Sequence, residues 1–303
     1  MGSIGKGTTS ASRVNGLTSN LSNYDSRFSD DIVNSAKRIH DEFPEVQEIS
    51  RIFANSQGSE IASMNGLGFL NINPQYLNNY DSTAALVKSR TDSGWLAGDG
   101  TIENTIIAHE LGHNLDLQLR AALANHSPQA YETQVVGSDN WAKAYSYILG
   151  RNIQKGDTVN DIPTWDTAAK FIKMGNKTYS IQDFTGNHMS DTIVPIAIKN
   201  IQDNYAKYGY TSKPTETQLV SGLSGYSNYN SKGSNDYHTE IFAESYSNYV
   251  SYGKGANPLA KEIMKLTKQA YKSATSHKMN TTSDFYTKLT KYSAQQQKAK
   301  GGK

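Results

Sequence analysis

His109, Glu110 and His113 spell H-E-x-x-H inside the stretch Thr101 to Leu119. On a helix, residues four apart lie one above the other on one face. Both imidazoles can therefore reach a single ion at about 2.0–2.1 Å, which suits zinc. Glu110 points about 100° away round the helix from His109. That direction sets it beside an open coordination position, where a general base takes a proton from water. Chance alone would produce this spacing in about one such sequence per hundred. The setting favours more than chance. Thr101 follows Gly98-Asp99-Gly100 as an N-cap, and Ile102, Ile106, Leu111, Leu115 and Leu119 provide apolar packing. One bound Zn2+ is the expected cofactor.

A third protein ligand has to come from elsewhere. The pattern HExxHxxGxxH is absent, because Asp116 and Leu119 occupy its last two fixed positions. Glu240-Ile-Phe-Ala-Glu244 offers two carboxylates at i, i+4 on a helix whose apolar side is Phe242, Ala243, Tyr246 and Val250. Carboxylates so spaced repel by a few tenths of a kcal/mol, about what an ion pair there would contribute, and a dication reverses that balance. Glu240 then completes a His, His, Glu set, while Glu244 accepts the free ring N–H of His109 or His113. The ordinary alternative is a solvated acidic face. His238 would point to another helix face, and His40 and His188 read as surface or packing residues.

Composition bounds the rest. The 303 residues can bury a substantial core, and the net charge of +2 makes no global case for nucleic acid. Lys254 to Lys303 carries 11 lysines against Glu262 and Asp284, a local balance of +9. Such a face is usually solvated, with a weak polyanion contact as its alternative use. Without cysteine there are neither disulfides nor thiolate ligands. No apolar run is long enough to span a membrane, and the N-terminus lacks the apolar core of a secretory signal. The expected location is cytoplasmic or particle-associated, or outside the cell by another route.

Along the chain, residues 1–24 read as a Ser/Gly/Thr tail. Phe28, Ile32, Ala36, Ile39 and Phe43 predict an amphipathic helix stopped by Pro44. Val46–Phe53, Glu60–Met64 and Gly66–Ile72 read as strands, and Tyr80–Arg90 as a helix. An edge strand above the metal can bind substrate main chain by strand addition. Leu67, Gly68, Phe69 and Asn71 are the candidates for that role. Later helices are expected at Trp141–Leu149, Trp165–Met174 and Met189–Tyr208, the last broken or kinked by Pro195. Lys177–Asp183 suggests a small strand pair. Ser221–Asp236, rich in Ser, Asn, Gly and Tyr, reads as a loop.

HELGHNLD at 109–116 together with EIFAE at 240–244 resembles the anthrax lethal factor-type zinc metallopeptidase domain. That gluzincin group also includes bacterial Pro-Pro endopeptidases. The resemblance rests on these two motifs and the preceding strand order. It implies that His109, His113 and Glu240 bind zinc and that Glu110 is the base. Gly112 and Asp116 also match, Gly112 pointing to a packing or access reason and Asp116 tethering a ligand or capping a loop. The interval from His113 to Glu240 is longer than in the group and calls for an extra helical insertion. The group's oxyanion-holding tyrosine, about seven residues before the ligand glutamate, falls here on Gly233; Tyr226, Tyr229 and Tyr237 are nearby, and Tyr229 is favoured.

The expected fold is α+β and zincin-like, with an upper lobe over 25–125, a helical lower lobe over 126–275 and a basic tail over 276–303. The expected activity is zinc-dependent hydrolysis of a peptide or protein substrate. The alternative is a phage virion or minor head-type component carrying such a domain, with assembly partners in the particle.

Overall fold

The computed structural model describes residues 16–44, 46, 49, 51–55, 58–64, 69–125, 158–159, 162–163, 170–174, 177–180, 188–229 and 237–276. These residues are mostly helical, with a small mixed sheet, an α+β arrangement. The chain divides into two compact units. Residues 1–118 and 188–267 form the first, and 119–187 with 268–303 the second. This division cuts across the expected boundary at 125/126, since both halves of the candidate site fall in the first unit.

In that unit the presumed tail is already structured from Gly16. Thr18–Leu21 makes a 3₁₀ turn with Thr18 and Leu21 buried, and Asn20 Nδ2 donates to Ile52 O at 2.9 Å. Helix α1 (Ser26–Glu42) starts at Asp25, whose side chain accepts from Arg27 N, and buries Phe28, Ile32, Ala36 and Ile39. The apolar stripe at three- and four-residue intervals is what packs this helix on the core.

Strands β1 (Arg51–Ala54), β2 (Ala62–Met64) and β3 (Phe69–Ile72) form one sheet in the order β1-β3-β2. β3 runs parallel to β1 and antiparallel to β2. It is therefore the central strand, with both hydrogen-bonding edges engaged. Phe69 and Asn71 cannot accept a substrate strand, contrary to expectation, and Leu67 and Gly68 lie outside the described residues. The short helix α2 (Pro74–Leu77) and α3 (Tyr80–Asp92) follow, capped by the side chains of Asn73 and Asn79.

The segment leading to the histidines is not plain α-helix. Thr101 accepts from Asn104 N, as an N-cap should, but Ile102–Ile107 then winds as a π-helix before α4 (Ala108–Asn125). Such wide turns are rare and tend to occur at functional sites. Flanking hydroxyls brace this one: Ser35 Oγ donates to Glu103 O at 2.9 Å and Ser247 Oγ to Asn104 O at 2.7 Å. Arg38 reaches both Glu103 and Asn104.

Helix α5 (Ser190–Asp203) passes through Pro195 uninterrupted. The ring removes one early hydrogen bond, to the Asp191 carbonyl, on the exposed face. Buried Ile193, Val194, Ala197, Ile198 and Ile201 hold the helix regardless. A 3₁₀ turn at Tyr205–Tyr208, rather than more α-helix, follows it. Part of the expected loop is ordered as well, with α6 at Glu216–Ser221 and α7 at Gly225–Tyr229. Helix α8 (Tyr237–Tyr252) is buried along most of its length, and α9 (Pro258–Ser276) follows.

In the second unit, β4 (Thr158–Val159) pairs with β5 (Ile162–Pro163), and β6 (Lys170–Met174) with β7 (Lys177–Ser180). Lys170–Met174 is thus a strand, not the end of a helix. Met174 pairs with Lys177 across Gly175-Asn176, a two-residue hairpin signal that outweighs the weak helical period. Between the two motifs' helices, the described residues of this unit are these strand pairs, and those of the first unit include the helices α5, α6 and α7. Trp141–Leu149 and the basic tail from 277 lie outside the described residues. No described helix is long and apolar enough to cross a membrane.

Candidate metal centre

Helices α4 and α8 approach closely in the middle of the two motifs. A Cβ on Gly112 would stand 2.8 Å from Ala243 Cα and 3.3 Å from Ala243 O. Gly112 lies between the paired histidines, and Ala243 between the paired glutamates. Only a missing side chain lets the backbones approach this far. That contact carries Glu240 to the histidines, across a long stretch of sequence.

The donor atoms converge as a result. His109 Nε2 and His113 Nε2 are 3.1 Å apart, and Glu240 Oε2 stands 3.3 Å and 3.6 Å from them. Glu240 Oε2 is buried and makes no well-aligned hydrogen bond, despite these short distances. Three clustered Lewis-basic atoms, one of them orphaned away from water, fit a cation, and a metal ion is compatible with this His, His, Glu group.

Glu244 uses both carboxylate oxygens. Oε1 lies 2.9 Å from His109 Nδ1, and Oε2 accepts from Ala97 N at 2.7 Å. An ionised carboxylate can only accept, so Nδ1 carries a proton, and Nε2 is the nitrogen that faces His113 and Glu240. Asp116 performs the capping task among its expected roles: Oδ1 accepts from Ser190 N, at the start of α5, at 2.7 Å. Its Oδ2 is 3.4 Å from His188 Nδ1. His188 is thus no bystander, since its charge adds to the effects that depress His113.

Burial and neighbouring charge pull the groups apart. Burial disfavours a charged His109, yet Glu240 and Glu244 outweigh it and raise its pKa well above the ordinary value. Burial, reinforced by His109, pushes His113 down to about 4. Burial would raise Glu240, but the two histidines hold it below its usual range. Glu110 is pushed up to about 7 by burial, against the opposing charge of His109 and a small lowering effect of the Met64 backbone. Met64 belongs to β2, so that strand runs near Glu110.

The tyrosines are sorted by the structure. The Tyr226 ring lies 5.9 Å from that of His109, and burial with the surrounding Glu240 and Glu110 raises its hydroxyl pKa. Tyr229 is 73% exposed and packs on Trp95, not on the histidines. Tyr237 donates to Glu216 at 3.2 Å. Of the three, Tyr226 and not the favoured Tyr229 is the tyrosine whose ring lies against His109. His238 pairs with Asp191 at 3.2 Å, outside the donor cluster.

Helix α8 also holds residues that motif reading passed over. Asn248 Nδ2 donates to Ala97 O at 2.7 Å and Tyr252 Oη to Gly98 O at 2.8 Å. With Glu240 and Glu244 they form a polar series at every fourth residue, a period visible in the sequence. No protein-family model, curated protein or solved structure matches the chain.

Proposed function

We propose that this chain is a zinc-dependent peptidase of the zincin type, in which His109, His113 and Glu240 hold the ion. The observation that carries the reading is the spacing of those three donor atoms, 3.1, 3.3 and 3.6 Å. Four ligands arranged tetrahedrally about zinc at about 2.0–2.1 Å stand roughly 3.3–3.4 Å from one another. Three protein ligands also leave a fourth position for water or substrate, as catalytic zinc sites require.

When bound, zinc supplies Lewis acidity, which makes water a nucleophile near neutral pH and polarises a carbonyl. The chain's own groups do the rest. Glu110 takes the proton from the attacking water and passes it to the leaving amine. The raised pKa of its carboxyl matches that exchange. Tyr226, beside His109, donates its phenolic hydrogen to the oxygen on which charge develops. Glu244 keeps His109 in one tautomer and orientation. β2, which stands at the end of the sheet order with Met64 near Glu110, is better suited than β3 to align a substrate backbone.

The test joins metal analysis to cleavage of a random peptide mixture. One zinc per chain is expected, with cleavage lost on chelation and restored by zinc. Glu110→Gln is expected to keep the zinc and lose about 10²–10⁴-fold in rate. Metal-free protein that still cleaves, or a Glu110→Gln variant as fast as the parent, would overturn the reading.

A further inference from the structure

A chain of aromatic rings leads outward from the metal centre. The rings of His109 and Tyr226 are 5.9 Å apart, those of Tyr226 and Trp95 6.1 Å, and those of Trp95 and Tyr229 5.7 Å. Interplanar angles of 66°, 70° and 58° keep each ring tilted against the next. Burial falls along the series: Trp95 is 38% exposed and Tyr229 73%.

The backbone that carries these outer rings is fastened in place. Gly225 N donates to Gly94 O at 2.8 Å and Tyr226 N to Trp95 O at 2.9 Å, fastening α7 to the loop before α4. A Cβ on Gly225 would stand 3.0 Å from Trp95 Cε3, so this glycine makes room for the indole. From the other side, Glu244, Asn248 and Tyr252 grip the same loop at Ala97 and Gly98. The helix that carries a metal donor therefore also sets the position of Trp95. Exposed aromatic surface carried on a backbone fixed by these contacts has less ordering left to do when a ligand binds.

We propose that Trp95 and Tyr229, continued inward by Tyr226, form a specificity subsite that takes an aromatic side chain of the peptide substrate. The inference rests on the peptidase reading and names the substrate class for that same site. The ring series begins at a donor to the metal, so a side chain lying on it belongs to a backbone already at the reacting centre. Tilted ring pairs are the geometry an incoming aromatic would extend. Trp95 and Tyr229 are specificity-determining residues and take no part in bond making.

Matched peptides carrying Phe or Ala at one position, taken along the cleaved sequence in turn, test the idea. At one position the parent protein is expected to cleave the Phe peptide with roughly tenfold higher kcat/KM. Trp95→Ala should bring that ratio close to one. Trp95→Leu preserves apolar bulk in the loop and should also lower the ratio, so a poorly folded alanine variant leaves the test intact. A parent that cleaves without aromatic preference, or a Trp95→Leu variant that keeps it, would overturn the subsite and leave the peptidase reading standing. Binding separates the two ideas further. The Phe peptide should change tryptophan fluorescence of the zinc-loaded Glu110→Gln variant at lower concentration than the Ala peptide does. Equal responses would overturn the subsite alone; no cleavage of any peptide by the zinc-loaded parent would overturn the peptidase reading and the subsite with it.

Discussion

Opposite charges meet at two helix junctions with opposite consequences. Between α1 and α3, Arg27 lies 2.7 Å from Asp25 and 2.6 Å from Asp81, with all three side chains open to solvent. Between α4 and α8, His109, His113, Glu240 and Glu244 are packed away from water around one another. The first cluster is complete in itself, and water screens what each pair contributes. The second buries polar groups at a cost that only full pairing can offset, and Glu240 Oε2 is left without a well-aligned partner. A cation held by His109, His113 and Glu240 would supply what is missing. The contrast separates a buried cluster that leaves a polar atom unsatisfied from a surface cluster that satisfies its own charges.

The strongest way to break that contrast is to part the two buried helices. Gly112→Ala sets a methyl group 2.8 Å from the Ala243 backbone. Overpacking of this kind costs about 1–3 kcal/mol. The roughly 1 kcal/mol gained in helix propensity offsets it only in part. Zinc affinity is expected to fall along with the urea midpoint, because Glu240 moves away with α8. Unchanged zinc affinity and midpoint would mean that this close approach does not bring the donors together.

A smaller effect should follow from Glu244→Gln, which keeps the shape but can no longer accept with both former oxygens. Removing such a hydrogen-bond partner of a ligand histidine typically costs 10–100-fold in metal affinity. Competition with a chelator of known affinity measures it. An affinity equal to the parent's would show that His109 needs no support from Glu244.

The smallest effect concerns the α1–α3 junction itself. Burial pushes the Asp31 carboxyl up to about 6, although Tyr80 Oη donates to it at 2.7 Å. Between 3.8 and about 6 the folded chain holds a proton on Asp31 that the unfolded chain has lost. The folded state binds more protons there, so this residue makes stability fall as pH rises through that window. Asp31→Asn should flatten that part of the profile of urea midpoint against pH. A profile as steep as the parent's would assign the slope to other groups.

Local spacing in the sequence sufficed for several of these features. Two histidines four apart share a helix face whatever surrounds them, and so do Glu240 and Glu244. The N-cap at Thr101 and the amphipathic stripe of α1 are equally local, each depending on residues within one or two turns. The polar series Glu240, Glu244, Asn248, Tyr252 was open to the same reading and needed only to be followed further along the helix.

Other features had no local cause. Strand order depends on which edges meet in space, so Phe69 and Asn71 could look like an edge and yet belong to the central strand. Tyr226 and Tyr229 are nearly equivalent by composition and position. Only the docking of α7 on the Trp95 loop turns one ring to His109 and the other to solvent. Whether Glu240 would meet the histidines hung on a hydrogen atom at Gly112 opposite Ala243. Residues so far apart along the chain are brought together by packing, and no periodicity within either helix records it.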